Sequence, residues 1–393
     1  WLQAGRTIMF LTRRITCHRH SQRFAATLAA DLDTGWGSSI RRLQCIDVHA
    51  EGEPARVVVG GLPHIPGGIH DKRALMMKPP LDAIRKLLMT EPRGYPCQNV
   101  DYVLPPSHPK AAFDIIIAEQ NCIYPAMSGH NMMCVATALL ETGMVPMMEP
   151  ISEFALNTPA GLVDVQAECS AGKAKRVLLR NAPSFLQPEN MDVEVDVPGG
   201  IGKVRLDVTF GGMWFAVVDA ASVGLRILPQ QGKDLCRIGE MIKVACREQH
   251  PVNHPEYDYP GCDILVFTEG RRREGNTVFA KNTVVMSNGV LDWNDPSTWT
   301  GMLDRSPCGT GTCAVMASLH KRGELALGEN FVHEGILGTT FHGRLEEQTT
   351  VGTGVPAVVP TISGRCWITQ HCDVVCHPSD PFPQGYTVGD IWA

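Results

Sequence analysis

The chain of 393 residues is 44% hydrophobic and 19% charged, a globular composition long enough for two or three domains. Its net charge of −6 argues against nucleic acid or an anionic membrane as the main partner, and no apolar run approaches the ~18 residues that span a bilayer. Fourteen cysteines, scattered and with no secretory hydrophobic stretch ahead of them, read as free thiols in a reducing compartment, most of them small buried hydrophobes.

Residues 1–42 stand apart. Arg6, Arg13, Arg14, Arg19 and Arg23 precede the first acidic residue, Asp31. An Arg-rich, acid-poor leader resembles an organellar transit peptide; the alternative is a fragment, or a stretch read upstream of Met9. The expected location is cytoplasmic, or mitochondrial if the leader is a working signal.

Short strand-like runs follow. Val57-Val58-Val59 enters Gly60-Gly61-Leu62-Pro63, and Asp114 to Ala118 reads as a buried strand. A helix is expected over Met132 to Leu140, with Met133, Ala136 and Leu140 on one face and Gly143 as the stop. Strands are expected at 162–165, 176–179 and 203–209, a helix at 232–249, a strand at 264–267, then a second central helix and closing strands. The order of strands, glycine-rich turn, central helix and further strands occurs twice. That predicts an α/β fold of two pseudo-symmetric lobes, each wrapping strands around one helix. The first lobe would span residues 43–195 and the second 196–364, with 365–393 returning to the first.

The two central helices begin alike. Ser128-Gly129-His130-Asn131 opens one and Cys308-Gly309-Thr310-Gly311-Thr312 the other, and each run stops at a glycine, Gly143 or Gly323. First-turn N–H groups lack intrahelical partners, and the macrodipole adds partial positive charge there, so two opposed helix starts could grip one carboxylate from both sides. Gly129, Gly309 and Gly311 leave the backbone open to such an approach. The same field lowers a cysteine pKa from about 8.5, which predicts a reactive thiolate at Cys308. Ser128 is either a plain N-cap or the catalytic counterpart of Cys308. His130 is either a core histidine or part of the substrate grip, and Asp304 either caps a turn or accepts a hydrogen bond from a substrate amine.

Other candidates are weaker. His371, Cys372, Cys376 and His377 fall in or next to a strand-like stretch whose alternation separates neighbours, so no metal is expected there. Asp47-Val48-His49-Ala50-Glu51 lacks the helical spacing of a zinc motif. Gly309-Thr310-Gly311 and Gly352-Thr353-Gly354 lack the third glycine of a dinucleotide site.

At these residues the chain resembles the proline racemase family, which also holds hydroxyproline epimerases and trans-3-hydroxy-L-proline dehydratases. The matching stretches are Asp47 to Arg56, Gly61 to Gly67, Glu91 to Gly94, Met127 to Asn131, Asn157 to Gly161, Phe210 to Gly212, Asp304 to Thr312 and Asp380 to Phe382. The similarity covers residues 43 to 391. It implies a diaminopimelate-epimerase-like fold with the substrate, a small imino acid, buried between the central helices. No cofactor or metal is implied, and the assembly implied is a homodimer. The acid/base positions match Ser128 and Cys308. By the same resemblance the substrate-binding residues are Gly129, His130, Asn131, Asp304, Gly309 and Thr310, the carboxylate meeting backbone at both helix starts and the nitrogen meeting Asp304 and His130.

Two departures bear on the reaction. A racemase carries cysteine where this chain has Ser128, and a racemase needs a competent base on each face of the α-carbon. A hydroxyl is far less acidic than a thiol, so Ser128 cannot serve without another base. A dehydratase needs one base, Cys308, plus a donor for the departing hydroxyl, which Ser128 or a water could supply. The second departure is a segment inserted relative to the racemases, Gly289 to Gly301; the resemblance also places Tyr102 near where racemases carry a pocket phenylalanine, and a polar wall there would favour a hydroxylated ring over proline. The leading expectation is a hydro-lyase acting on trans-3-hydroxy-L-proline to give a cyclic imine. Alternatives are a 4-hydroxyproline 2-epimerase or proline racemase, a cysteine hydrolase using Cys308 with His130, and a silent carboxylate-binding protein.

Overall fold

A computed structural model describes residues 41–256 and 258–391; the Arg-rich leader lies outside them. The first half contains β1 (Arg41–Ala50), β2 (Glu53–Gly60), α1 (Ile69–Met76), α2 (Asp82–Met89), β3 (Asn99–Leu104), β4 (Phe113–Ala118), α3 (Gly129–Glu141), β5 (Ile151–Thr158), β6 (Gly161–Ser170) and β7 (Lys173–Arg180). The second contains β8 (Val193–Val197), β9 (Gly202–Phe210), β10 (Trp214–Asp219), α4 (Gly232–Gln249), β11 (Ile264–Glu274), β12 (Thr277–Ser287), β13 (Gly301–Leu303), α5 (Gly309–Lys321), β14 (Asn330–Glu334), β15 (Thr340–Val351) and β16 (Val355–Gly364). The last strand, β17 (Cys366–Cys376), pairs antiparallel with β1.

The strand pairings repeat. In the first half β1–β2 is antiparallel, β2–β3 parallel, β3–β4 antiparallel, β4–β5 parallel, and β5–β6–β7 antiparallel. In the second, β9–β10, β10–β11, β11–β12, β12–β14 and β14–β15–β16 repeat that series. In both halves the central helix leads into the strand that pairs in parallel. The halves join where β7 pairs antiparallel with β16.

Packing explains why each element reads as it does. β6 alternates, turning Val163, Val165, Ala167 and Cys169 inward and Asp164, Gln166 and Glu168 outward. β3 and β4 are covered on both faces and therefore lack a polar side: Val103, Ile115 and Ile117 meet the core around α3, while Tyr102, Leu104 and Ile116 meet α1 and α2. α3 is buried all round from Gly129 to Leu140, as a helix without a polar face must be. Its pseudo-symmetric partner α5 is buried from Gly309 to Leu319. Both stop at a glycine in the left-handed region, Gly143 at φ 74° and Gly323 at φ 73°. One apolar cluster surrounds both helices and so spans the two halves.

One expectation fails here. Tyr102 is fully buried on the face of β3 away from α3, packed with Met76, Ile84 and Leu87, so it is no wall of the pocket. One residue of register decides this, because neighbours on a strand point to opposite faces. The inserted segment braces α4: the Trp293 indole N–H donates to Glu248 at 3.0 Å, and the Arg237 guanidinium lies 5.5 Å from the Trp299 ring centre. No helix among the described residues is long and apolar enough to cross a membrane.

Candidate active site

The repeat brings the two helix starts together. A Cβ built on Gly129 would lie 2.9 Å from the Gly309 Cα, and one on Gly309 2.8 Å from the Gly129 Cα. Only glycine at both positions lets the backbones approach so closely. Ser128 and Cys308, the N-cap residues of α3 and α5, flank this contact.

The two caps differ in backbone as well as in chemistry. Cys308 has φ 55° and ψ 122°, a sparsely populated conformation that costs of order 1–3 kcal/mol and is typical of functional positions. Its Sγ folds over the helix start, accepting the Gly311 N–H at 3.4 Å with the Thr310 hydroxyl 3.7 Å away. Ser128 is ordinary extended chain (φ −146°, ψ 126°) and its hydroxyl caps no backbone N–H. The plain N-cap reading of Ser128 therefore fails. The first-turn N–H groups at Gly129, His130 and Asn131 remain without an intrahelical acceptor or a side-chain cap. They form, with those of Gly309 and Thr310, a nest fit for a carboxylate.

Beside this nest stands an acidic wall. Asp304 is buried and its Oδ1 accepts from the Ser306 N–H (2.8 Å) and hydroxyl (3.0 Å), so it does cap a turn. It also lies within hydrogen-bonding reach of the Cys308 thiol and the Glu53 carboxyl. Glu53 in turn accepts the Arg305 N–H at 2.6 Å. Burial first, and Asp304 second, hold the Glu53 carboxyl well above its usual range and push Glu119 up to about 7. An anion nest next to a cluster of buried carboxyl groups, which a cation would help to ionise, suits a small zwitterion whose carboxylate and cationic nitrogen are close together.

The thiolate expected at Cys308 does not follow from the helix start alone. Burial, and then the Asp304 carboxylate, push the thiol well up, and the Gly311 N–H and Thr310 hydroxyl pull it only part of the way back. The helix-start argument treated one field in isolation, whereas desolvation of a fully enclosed anion outweighs it. A cation seated against Asp304 would cancel the second of these causes.

His130 is buried, and burial holds it below the usual histidine range, hence neutral at pH 7. Its Nδ1 lies 3.2 Å from the Ser128 Oγ and its Nε2 3.1 Å from the Asn99 Nδ2. Asn131 donates to the same Ser128 oxygen at 3.1 Å. Both ring nitrogens of His130 are thus engaged away from Cys308, which leaves the cysteine–histidine pair of a hydrolase unassembled. Sequence reasoning missed Asn99, Glu53 and Glu119, because their roles depend on strands brought in from elsewhere in the chain.

A cavity of about 970 Å³ opens beside the site, bounded by Cys97 from the first half and by Lys233, Arg237, Trp299, Arg305 and Leu337 from the second. Its cationic rim suits the approach of an anionic carboxylate. Among the described residues no group of three or more histidine, cysteine or acidic side chains is arranged to hold a metal ion.

Solved structures resemble this chain over most of its length. A hydroxyproline epimerase from Agrobacterium vitis, solved with bound trans-4-hydroxy-L-proline, is 34% identical with a TM-score of 0.78, the match covering 90% of this chain and 97% of that one. A probable proline racemase from Agrobacterium radiobacter, solved with bound carbonate, is 36% identical with a TM-score of 0.78, covering 89% and 98%. A phenazine biosynthesis protein of Bacillus anthracis shares the fold alone, at 13% identity and a TM-score of 0.52 over 85% and 99%. The proline racemase family model matches residues 45–387. With a match of that length over the paired helix starts, the chain belongs to the proline racemase family.

Proposed function

We propose that the protein dehydrates trans-3-hydroxy-L-proline to a cyclic imine, using Cys308 as its one base. The observation that carries this reading is the inequality of the two caps: a thiol on one helix start and, on the other, a hydroxyl already held by His130 and Asn131. In trans-3-hydroxy-L-proline the carboxylate and hydroxyl are trans, so the α-hydrogen and the 3-hydroxyl share one face of the ring. A base on that face meets both. The Cys308 thiolate takes the α-proton, the electron pair forms the Cα–C3 double bond, and the C3–O bond breaks. The new thiol hands its proton to the departing hydroxide, giving water and regenerating the thiolate. The enamine then tautomerises to the imine. This account leaves the hydroxyl departure to Cys308, and Ser128 need only stay inert on the other face.

A second reading is epimerisation of 4-hydroxyproline at its α-carbon, favoured by the 34% identity to the Agrobacterium vitis epimerase. It requires a base at Ser128 as well.

Incubation in D2O with trans-3-hydroxy-L-proline, trans-4-hydroxy-L-proline and L-proline separately, followed by NMR, tests the choice. Release of water from the first alone is the expected result. α-Deuterium with inversion in the second, and no dehydration of the first, overturns the lyase. Ser128→Cys is expected to raise epimerisation or racemisation at least about tenfold by supplying the second base; no gain would sink the base-count argument.

The pH dependence has a definite sign. The active form is the thiolate and the thiol is shifted upward, so log kcat/KM should climb with a slope near one from about pH 6 into the alkaline range. A profile that falls over that range would remove Cys308 as the base.

A further inference from the structure

We propose that Asn99 is a positioning residue that locks His130 in the Nδ1–H tautomer and so prevents Ser128 from acting as a base. The proposal rests on the one-base reading above. Asn99 is buried on β3; its amide nitrogen donates toward the Pro54 carbonyl (3.4 Å) and a Glu53 oxygen (3.4 Å) and lies 3.1 Å from the His130 Nε2. The Pro54 carbonyl can only accept, which sets the amide with its N–H groups toward this side. The His130 Nε2 must then be the bare nitrogen, and the proton of the neutral ring sits on Nδ1. That N–H donates to the Ser128 Oγ, as does the Asn131 amide, 3.1 Å from it. Both lone pairs of the hydroxyl are occupied. Ser128 can still donate, but the His130 and Asn131 nitrogens that donate to it cannot take its proton.

An acceptor at position 99 would reverse the chain. A carboxylate there would hold a proton on Nε2, leave Nδ1 bare and let it accept from the Ser128 hydroxyl, which is the acid–histidine–serine arrangement of an activated nucleophile or base. One amide in place of one carboxylate would then separate a one-base site from a two-base site on the same scaffold.

The test has two parts, both on the full chain. Nitrogen-15 NMR of the unaltered protein, with the His130 signals assigned by their loss in His130→Gln, should show a protonated Nδ1 and a bare Nε2. In Asn99→Asp the two should exchange. A bare Nδ1 in the unaltered protein overturns the lock whatever reaction the enzyme performs, because this measurement needs no substrate. The second part follows α-deuterium uptake with inversion from D2O into trans-4-hydroxy-L-proline. Asn99→Asp is expected to raise it at least about tenfold, Asn99→Leu to leave it unraised, and the added change Ser128→Ala to abolish the gain. Equal gain in Asn99→Leu, or gain that survives Ser128→Ala, overturns the proposal. If the unaltered enzyme fails to dehydrate trans-3-hydroxy-L-proline, the lyase reading falls while the tautomer result stands.

Discussion

Cys308→Ser is expected to lower kcat/KM on trans-3-hydroxy-L-proline by about three orders of magnitude, with little change in folding. Serine matches the shape of cysteine and can keep the Gly311 N–H bond that the sulfur accepts at 3.4 Å, and it tolerates the same backbone as well as cysteine does. What it lacks is acidity. General-base catalysis by a positioned side chain contributes about 10²–10⁴-fold, and the thiol so formed also carries the proton to the leaving hydroxyl, so two steps are lost together. A thermal melt beside the kinetics separates the outcomes. An unchanged melt with activity within tenfold of the unaltered enzyme would remove Cys308 from the chemistry.

Gly309→Ala should damage both activity and stability. The new methyl would sit 2.8 Å from the Gly129 Cα and 2.7 Å from the Ile362 Cδ1, and the first of these is backbone that cannot rotate away. The helix starts must separate. Overpacking of this kind costs about 1–3 kcal/mol, seen as a melting point lower by several degrees. Because the carboxylate would be held by N–H groups of both helices, a displacement near 1 Å would cost about 10²-fold in kcat/KM. Gly68→Ala is the control: its methyl would meet only an Asp71 carboxylate oxygen at 3.9 Å, at the start of α1, and should leave both quantities unchanged. If Gly309→Ala behaves like that control, the abutting helix starts are not what grips the substrate.

The legible parts of the chain were those written in local pattern. The run Asp114 to Ala118 lies in β4, which starts one residue earlier at Phe113, and the window 232–249 is α4 with the bounds expected of it. Gly143 and Gly323 stop the two central helices in the one conformation glycine adopts freely. Tyr102 was misplaced because a strand covered on both faces carries no alternation to say which side faces the site. The thiolate at Cys308 was misjudged for a related reason. Helix starts are visible in sequence, but the degree of enclosure and the nearness of Asp304 are not.

Asn99 marks the same boundary. Nothing around it in the chain distinguishes it from any polar residue opening a strand. Its meaning comes from Pro54 on β2 and His130 on α3, which the parallel pairing of β2 with β3 and the packing of α3 on the sheet bring within 3.4 Å and 3.1 Å.

By itself the sequence determined the mixed α/β elements, the two glycine-flanked helix starts and the unequal pair Ser128 and Cys308, because these depend on residue type and short spacing. Tertiary structure alone decided that the two starts touch, that the thiol is pushed up instead of down, and that the Ser128 hydroxyl meets a histidine whose other ring nitrogen meets a distant amide. Each of those is a matter of distance and desolvation between segments far apart in the chain, and pattern along the chain carries neither.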